Sequence, residues 1–92
     1  MAQVVCTVKI MPESPDTDME QLYHLAEIAI TKQIGSQKCK KEIEPVAFGL
    51  RALKIIFVSD ESKSNLDELE NNIKLINNVN SVEVVDVRRA IG

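Results

Sequence analysis

His24 is the only imidazole in this chain of 92 residues, and Cys6 and Cys39 are its only thiols. Nucleophilic catalysis needs a hydroxyl or thiol beside a base that a third group orients. One histidine on a predicted helix offers no such set. The cysteines form no C-x-x-C pair, and a zinc site would have to gather Cys6, Cys39 and His24 from three separate elements. Cys6 lies inside an apolar run, where a small buried thiol is the default. Asp67, Glu68 and Glu70 form the polar face of a predicted helix. The glycines, Gly35, Gly49 and Gly92, are too dispersed to cradle a phosphate, and no G-x-x-x-x-G-K-[ST] loop is present. The chain is expected not to be an enzyme and to hold no cofactor and no metal.

Two features stand out against that background. Phe48 beside Gly49 is a large apolar side chain at a predicted hairpin tip, where small or polar residues are the rule. It either folds back over the sheet edge or serves as an anchor for another protein. Arg88-Arg89 is a basic pair in a chain of net charge −3. Such a pair is either simply solvated or a cationic finger aimed at a phosphate or metal-binding pocket.

Composition removes several classes of function. The aromatics are Tyr23, Phe48 and Phe57 alone, and the pI is about 5.1, so neither base stacking nor attraction to a phosphate backbone is provided for. The longest apolar run, Ile55-Ile56-Phe57-Val58, is far short of the ~20 residues of a membrane span. No cationic, apolar leader opens the chain, so a cytoplasmic location is expected. With 45% apolar and 27% charged residues, the chain reads as one ordinary globular domain over 1–92.

The elements that must position these residues follow from periodicity. Gln3 to Met11 alternates, with Val4, Cys6, Val8 and Ile10 on one face, and predicts a strand. After Pro12 and Pro15, Thr17 with Glu20 reads as a capping box. Met19, Leu22, Ala26 and Ala29 then form a helical stripe that Gly35 stops. Residues 37–44 are extended and charged, as an edge strand should be, and Pro45 ends them. Val46 to Gly49 is a short loop, and Leu50 to Ser59 a central strand paired with its predecessor. Ser64 with Asp67 repeats the cap, and Leu66, Leu69, Ile73 and Ile76 repeat the stripe. Asn77-Asn78 closes that helix, and Ser81 to Val87 alternates as a last strand.

The order βαββαβ is the ferredoxin-like α+β arrangement, an antiparallel sheet in strand order 4-1-3-2 with two helices on one face. In that topology the hairpin tip and the end of the last strand lie at opposite ends of the sheet. Phe48 and Arg89 are therefore expected more than ~20 Å apart, as two separate contacts.

Other activities of this fold lack their residues here. An RNA-recognition motif needs two or three aromatics on the first and third strands, and only Phe57 is present. A soft-metal chaperone would carry cysteines just after the first strand, where this chain reads M-P-E-S-P-D-T-D. Glu13, Asp16 and Asp18 in that loop would repel the phosphate of an acyl-phosphate hydrolase.

Three segments, in order and with compatible spacing, carry a specific resemblance: Val8-Lys9-Ile10-Met11-Pro12-Glu13-Ser14-Pro15, Pro45-Val46-Ala47-Phe48-Gly49-Leu50 and Val84-Val85-Asp86-Val87-Arg88-Arg89. Together they resemble the archaeal elongation factor 1-beta family, guanine-nucleotide exchange factors for the translational GTPase elongation factor 1-alpha. The resemblance implies that GTPase as the partner, in its GDP-bound and nucleotide-free forms, with no direct nucleic-acid or membrane partner. The free protein is expected to be a monomer. It also implies that a basic residue near the C-terminus enters the partner's magnesium site. Arg89 aligns with that residue, which is Lys in eukaryotic members, and Ala90-Ile91-Gly92 follow it here instead of a single residue. Arg88 is the alternative. Phe48, flanked by Gly49, aligns with the hairpin aromatic. A small-ligand regulatory domain of the same topology, dimerising through its sheet, is the competing expectation.

Overall fold

The structure, a computed structural model, describes residues 3–35, 39–60 and 66–89. The elements are β1 (Gln3–Pro12), α1 (Met19–Ile34), β2 (Lys40–Pro45), a 3₁₀ turn (Ala47–Gly49), β3 (Arg51–Asp60), α2 (Leu66–Lys74) and β4 (Val79–Arg89). The four strands form one antiparallel sheet in the order β2-β3-β1-β4, the expected 4-1-3-2 read from its other edge. Both helices pack on the same face.

Alternation along β1 and β3 builds the floor of the core. Val4, Cys6, Val8 and Ile10 stand opposite Ser59, Phe57, Ile55 and Leu53, and all eight are buried. Directly opposed residues share a face, so one row of each strand meets the helices while Val5, Thr7 and Lys9 turn to the other side. Met19, Leu22, Ala26, Ile30 and Ile34 of α1, with Leu69 and Ile73 of α2, close the core from above. The α1 stripe thus runs through Ile30 and Ile34, and the expected Ala29 packs only partly against it. At 3.6 residues per turn, positions 29 and 30 straddle the buried arc, and the larger side chain takes it.

The cap of α1 is Asp18, one residue beyond the expected Thr17. Its extended backbone (φ −72°, ψ 103°) lets Oδ1 accept from the N–H groups of Glu20 (3.1 Å) and Gln21 (3.2 Å). Thr17 belongs to the preceding turn, where its N–H donates to the Ser14 carbonyl at 3.2 Å, and the helix starts only at Met19. The Ser64 cap and the beginning of the expected 37–44 strand fall outside the described residues. α2 stops at Lys74, and Asn78 closes the turn that follows with φ 73°, a conformation asparagine tolerates.

The edge strand β2 is held down by α1. Lys41 Nζ lies 2.6 Å from Glu20 Oε1 and 4.9 Å from the centroid of the Tyr23 ring. The Tyr23 hydroxyl lies 2.9 Å from Glu27 Oε2 and 3.3 Å from the Cys39 carbonyl oxygen. Burial, and then donation to Glu27, push the Tyr23 hydroxyl up to about 12.

Candidate functional site

Phe48 sits at the very tip of the β2–β3 hairpin with 94% of its surface exposed, while Phe57 is buried in the core. Of the two fates open to it from sequence, folding back over the sheet is not the one observed. Its backbone is left-handed (φ 62°, ψ 32°), a region that bulky residues rarely enter and that costs about 1–3 kcal/mol. Gly49 follows at φ 76°, where glycine is at ease. The loop is closed around them: the Val46 N–H donates to the Leu50 carbonyl at 2.9 Å, and the Leu50 N–H to the Ala47 carbonyl at 3.3 Å. A large ring is thus held outward on a short, hydrogen-bonded tip.

The arginines end β4 at the other extreme of the sheet. Arg89 stands opposite Val4 and Arg88 opposite Val5, at the start of β1, whereas the hairpin begins beside Leu53, opposite Ile10. The six steps from Val4 to Ile10 span about 20 Å at ~3.3 Å each, and the tip lies further on. The molecule is 42 Å along its longest axis. One pocket cannot take both Phe48 and Arg89.

Cross-strand pairing also separates the two arginines by face. Val4 is buried beneath the helices, so Arg89 leaves the strand on the helix-bearing side, and Arg88 leaves it on the uncovered side. Arg88 Nε lies 2.8 Å from Asp86 Oδ2, a pair two residues apart on that uncovered face. The partition depends on a β-bulge. Thr7 faces Asp86 while the next residue, Val8, faces Val84, which leaves Val85 as an extra residue in β4. Period two alone does not assign this part to Val85 and Asp86, and its mark in the sequence is the doublet Val84-Val85, which breaks the polar–apolar alternation.

The uncovered face carries a charged row across all four strands: Glu42, Lys54, Lys9 and Glu83 stand side by side. Lys54 Nζ also bonds Glu44 Oε2 at 2.8 Å, which holds the Glu44 carboxyl below its usual range and the lysine above its own. Cys6 is buried and Cys39 half-buried, and burial is the main cause that pushes both thiols up, away from the reactive thiolate. What the molecule presents is an exposed aromatic ring at one end and guanidinium charge at the other.

Residues 5–90 match the family described as the EF-1 guanine nucleotide exchange domain. The chain belongs to that family. It is similar to proteins named elongation factor 1-beta: 39% identical over 89 residues to that of Methanobrevibacter smithii, covering 97% of this chain and 98% of the relative. The Methanothermobacter thermautotrophicus protein matches at the same identity and coverage. That of Thermofilum pendens is 31% identical over 93 residues, covering both chains completely. The exchange domain is accordingly a non-catalytic nucleotide exchange factor. No helix among its described residues is long and apolar enough to cross a membrane.

Proposed function

We propose that residues 1–92 act as one exchange domain on the GTPase elongation factor 1-alpha, gripping it at two places. Phe48 anchors an outlying domain of the GTPase, and Arg89 reaches its nucleotide site, with the sheet as a rigid spacer. The observation that supports this reading best is the strained, outward Phe48 more than ~20 Å from the arginine end. Strain in a large exposed residue is a cost that a binding role explains and a purely structural role does not.

The chemistry is electrostatic competition. A guanidinium near the magnesium position meets the same negative field as the metal but cannot bridge the phosphate oxygens. At ~4 Å and an effective dielectric of 20, one unit charge is worth about 4 kcal/mol, enough to change nucleotide release by orders of magnitude. By linkage, a protein that weakens GDP binding must itself bind the nucleotide-free GTPase more tightly by the same factor. We take the free protein to be a cytoplasmic monomer that carries no nucleic acid.

The deciding experiment is release of labelled GDP from elongation factor 1-alpha as this protein is added. Release should accelerate with added protein until it saturates. An unchanged rate at saturating protein would refute the exchange reading.

A further inference from the structure

The Val85 bulge has a specific support on α2. Glu70, half-buried on that helix, accepts a hydrogen bond at 3.1 Å through Oε1 from the backbone N–H of Val84, the residue on which the bulge opens. Val84 itself packs partly against the core. β4 is an edge strand, so an N–H that turns away from β1 has no partner within the sheet, and Glu70 supplies one at the residue where the register changes. A carboxylate makes the stronger kind of bond to a backbone N–H.

From this we infer that Glu70 is a positioning residue for the arginine pair: by fixing the bulge it decides which arginine leaves which face. The register makes the consequence explicit. If β4 ran regularly beyond Val84, Val85 would face Thr7, Asp86 would face the buried Cys6, and Arg88 would face Val4. Arg89 would then stand opposite Gln3 on the uncovered side. The two arginines would have exchanged faces, and Asp86 would turn its charge toward the core. With the bulge in place, Asp86 stays on the uncovered face and pairs with Arg88. Glu70 thus acts through the backbone, from another element, on side chains four and five residues beyond the bond it accepts. The functional consequence rests on Arg89 acting at the nucleotide site, as proposed.

The test uses the full chain in three variants: Glu70→Ala, Glu70→Gln, and Glu70→Ala combined with deletion of Val85. Deleting the extra residue makes β4 regular beyond Val84, with Asp86 opposite Thr7 and Arg89 opposite Val4, so it makes Glu70 unnecessary. On the free protein, NMR cross-strand contacts between Thr7 and Asp86 should weaken in Glu70→Ala, persist in Glu70→Gln, whose amide oxygen still accepts, and return with the deletion. In GDP release, Glu70→Ala should lower the saturated rate about tenfold, as for loss of one hydrogen bond to a charged group. The half-saturating concentration should change by less than about twofold, and the deletion should restore the rate. Retention of the Thr7–Asp86 contacts in Glu70→Ala, or failure of the deletion to restore them, would overturn the inference. If Arg89→Ala alone left release unchanged, the reading of the site would fall, and the NMR outcome would still decide the role of Glu70.

Discussion

Arg88 and Arg89, adjacent in sequence, leave β4 on opposite faces of the sheet, the first opposite Val5 and paired with Asp86, the second opposite buried Val4. The two guanidinium groups therefore start from different faces of the same strand. Arg89→Ala is expected to lower the saturated GDP-release rate by at least about tenfold while complex formation falls far less. Arg88→Ala should stay within about fivefold, since its exposed pair with Asp86 is worth ~1 kcal/mol at most. Equal effects of the two variants in a release assay would show that face does not matter.

Phe48 allows binding to be separated from stability. Phe48→Ala should weaken complex formation with elongation factor 1-alpha about tenfold or more, as loss of an aromatic anchor does, while complexes that still form release GDP at a near-normal rate. Phe48→Gly should weaken binding similarly yet stabilise the free fold by about 1 kcal/mol, because glycine accepts φ 62° without strain. Denaturant melts of the two variants, beside titration with the GTPase, separate these effects. A glycine variant less stable than the parent would mean that the tip is not strained.

Tyr23 is the only tyrosine, and there is no tryptophan, so phenolate absorbance near the alkaline limit reports this one group. In the folded protein its titration should centre at about 12, and in denaturant it should fall to that of an ordinary tyrosine, about 10. The folded state holds the proton more tightly, so this contribution to stability is complete below pH 10 and is lost as pH rises toward 12. Tyr23→Phe should remove that alkaline dependence. Glu27→Gln should bring the folded titration part of the way down, burial remaining.

The chain alone is expected neither to bind GTP at micromolar concentration nor to hydrolyse it. No phosphate-cradling loop is present, and acidic Glu13, Asp16 and Asp18 occupy the loop after β1. Titration calorimetry with GTP and GDP, and a phosphate-release assay, check both halves. Micromolar heats from the chain alone would require a nucleotide site that its sequence does not offer.

Much of this architecture is local in origin and therefore legible in the order of residues. The buried row Val4, Cys6, Val8, Ile10 follows from period two, and the stripe Met19, Leu22, Ala26 from period 3.6. Once four strands and two helices are counted, topology alone sends Phe48 and Arg89 to opposite ends. The departures arise where a turn or a cross-strand partner, rather than the period of the element, sets a residue's conformation. Asp18 caps α1 because the preceding turn delays the helix to Met19, which leaves Asp18 as the flanking residue whose carboxylate meets the first free N–H groups. Phe48 takes a left-handed backbone because the closed tip demands it, against the preference of its own type. The faces of Arg88 and Arg89 depend on the extra residue Val85 that β4 accommodates against β1, and on a carboxylate from α2 that meets the Val84 N–H. Periodicity carries the phase of a strand only until a bulge resets it, and cross-strand partners choose where that happens. Composition and pattern alone determined the fold and sent Phe48 and the arginine pair to its two ends, and tertiary pairing decided which way each of them points.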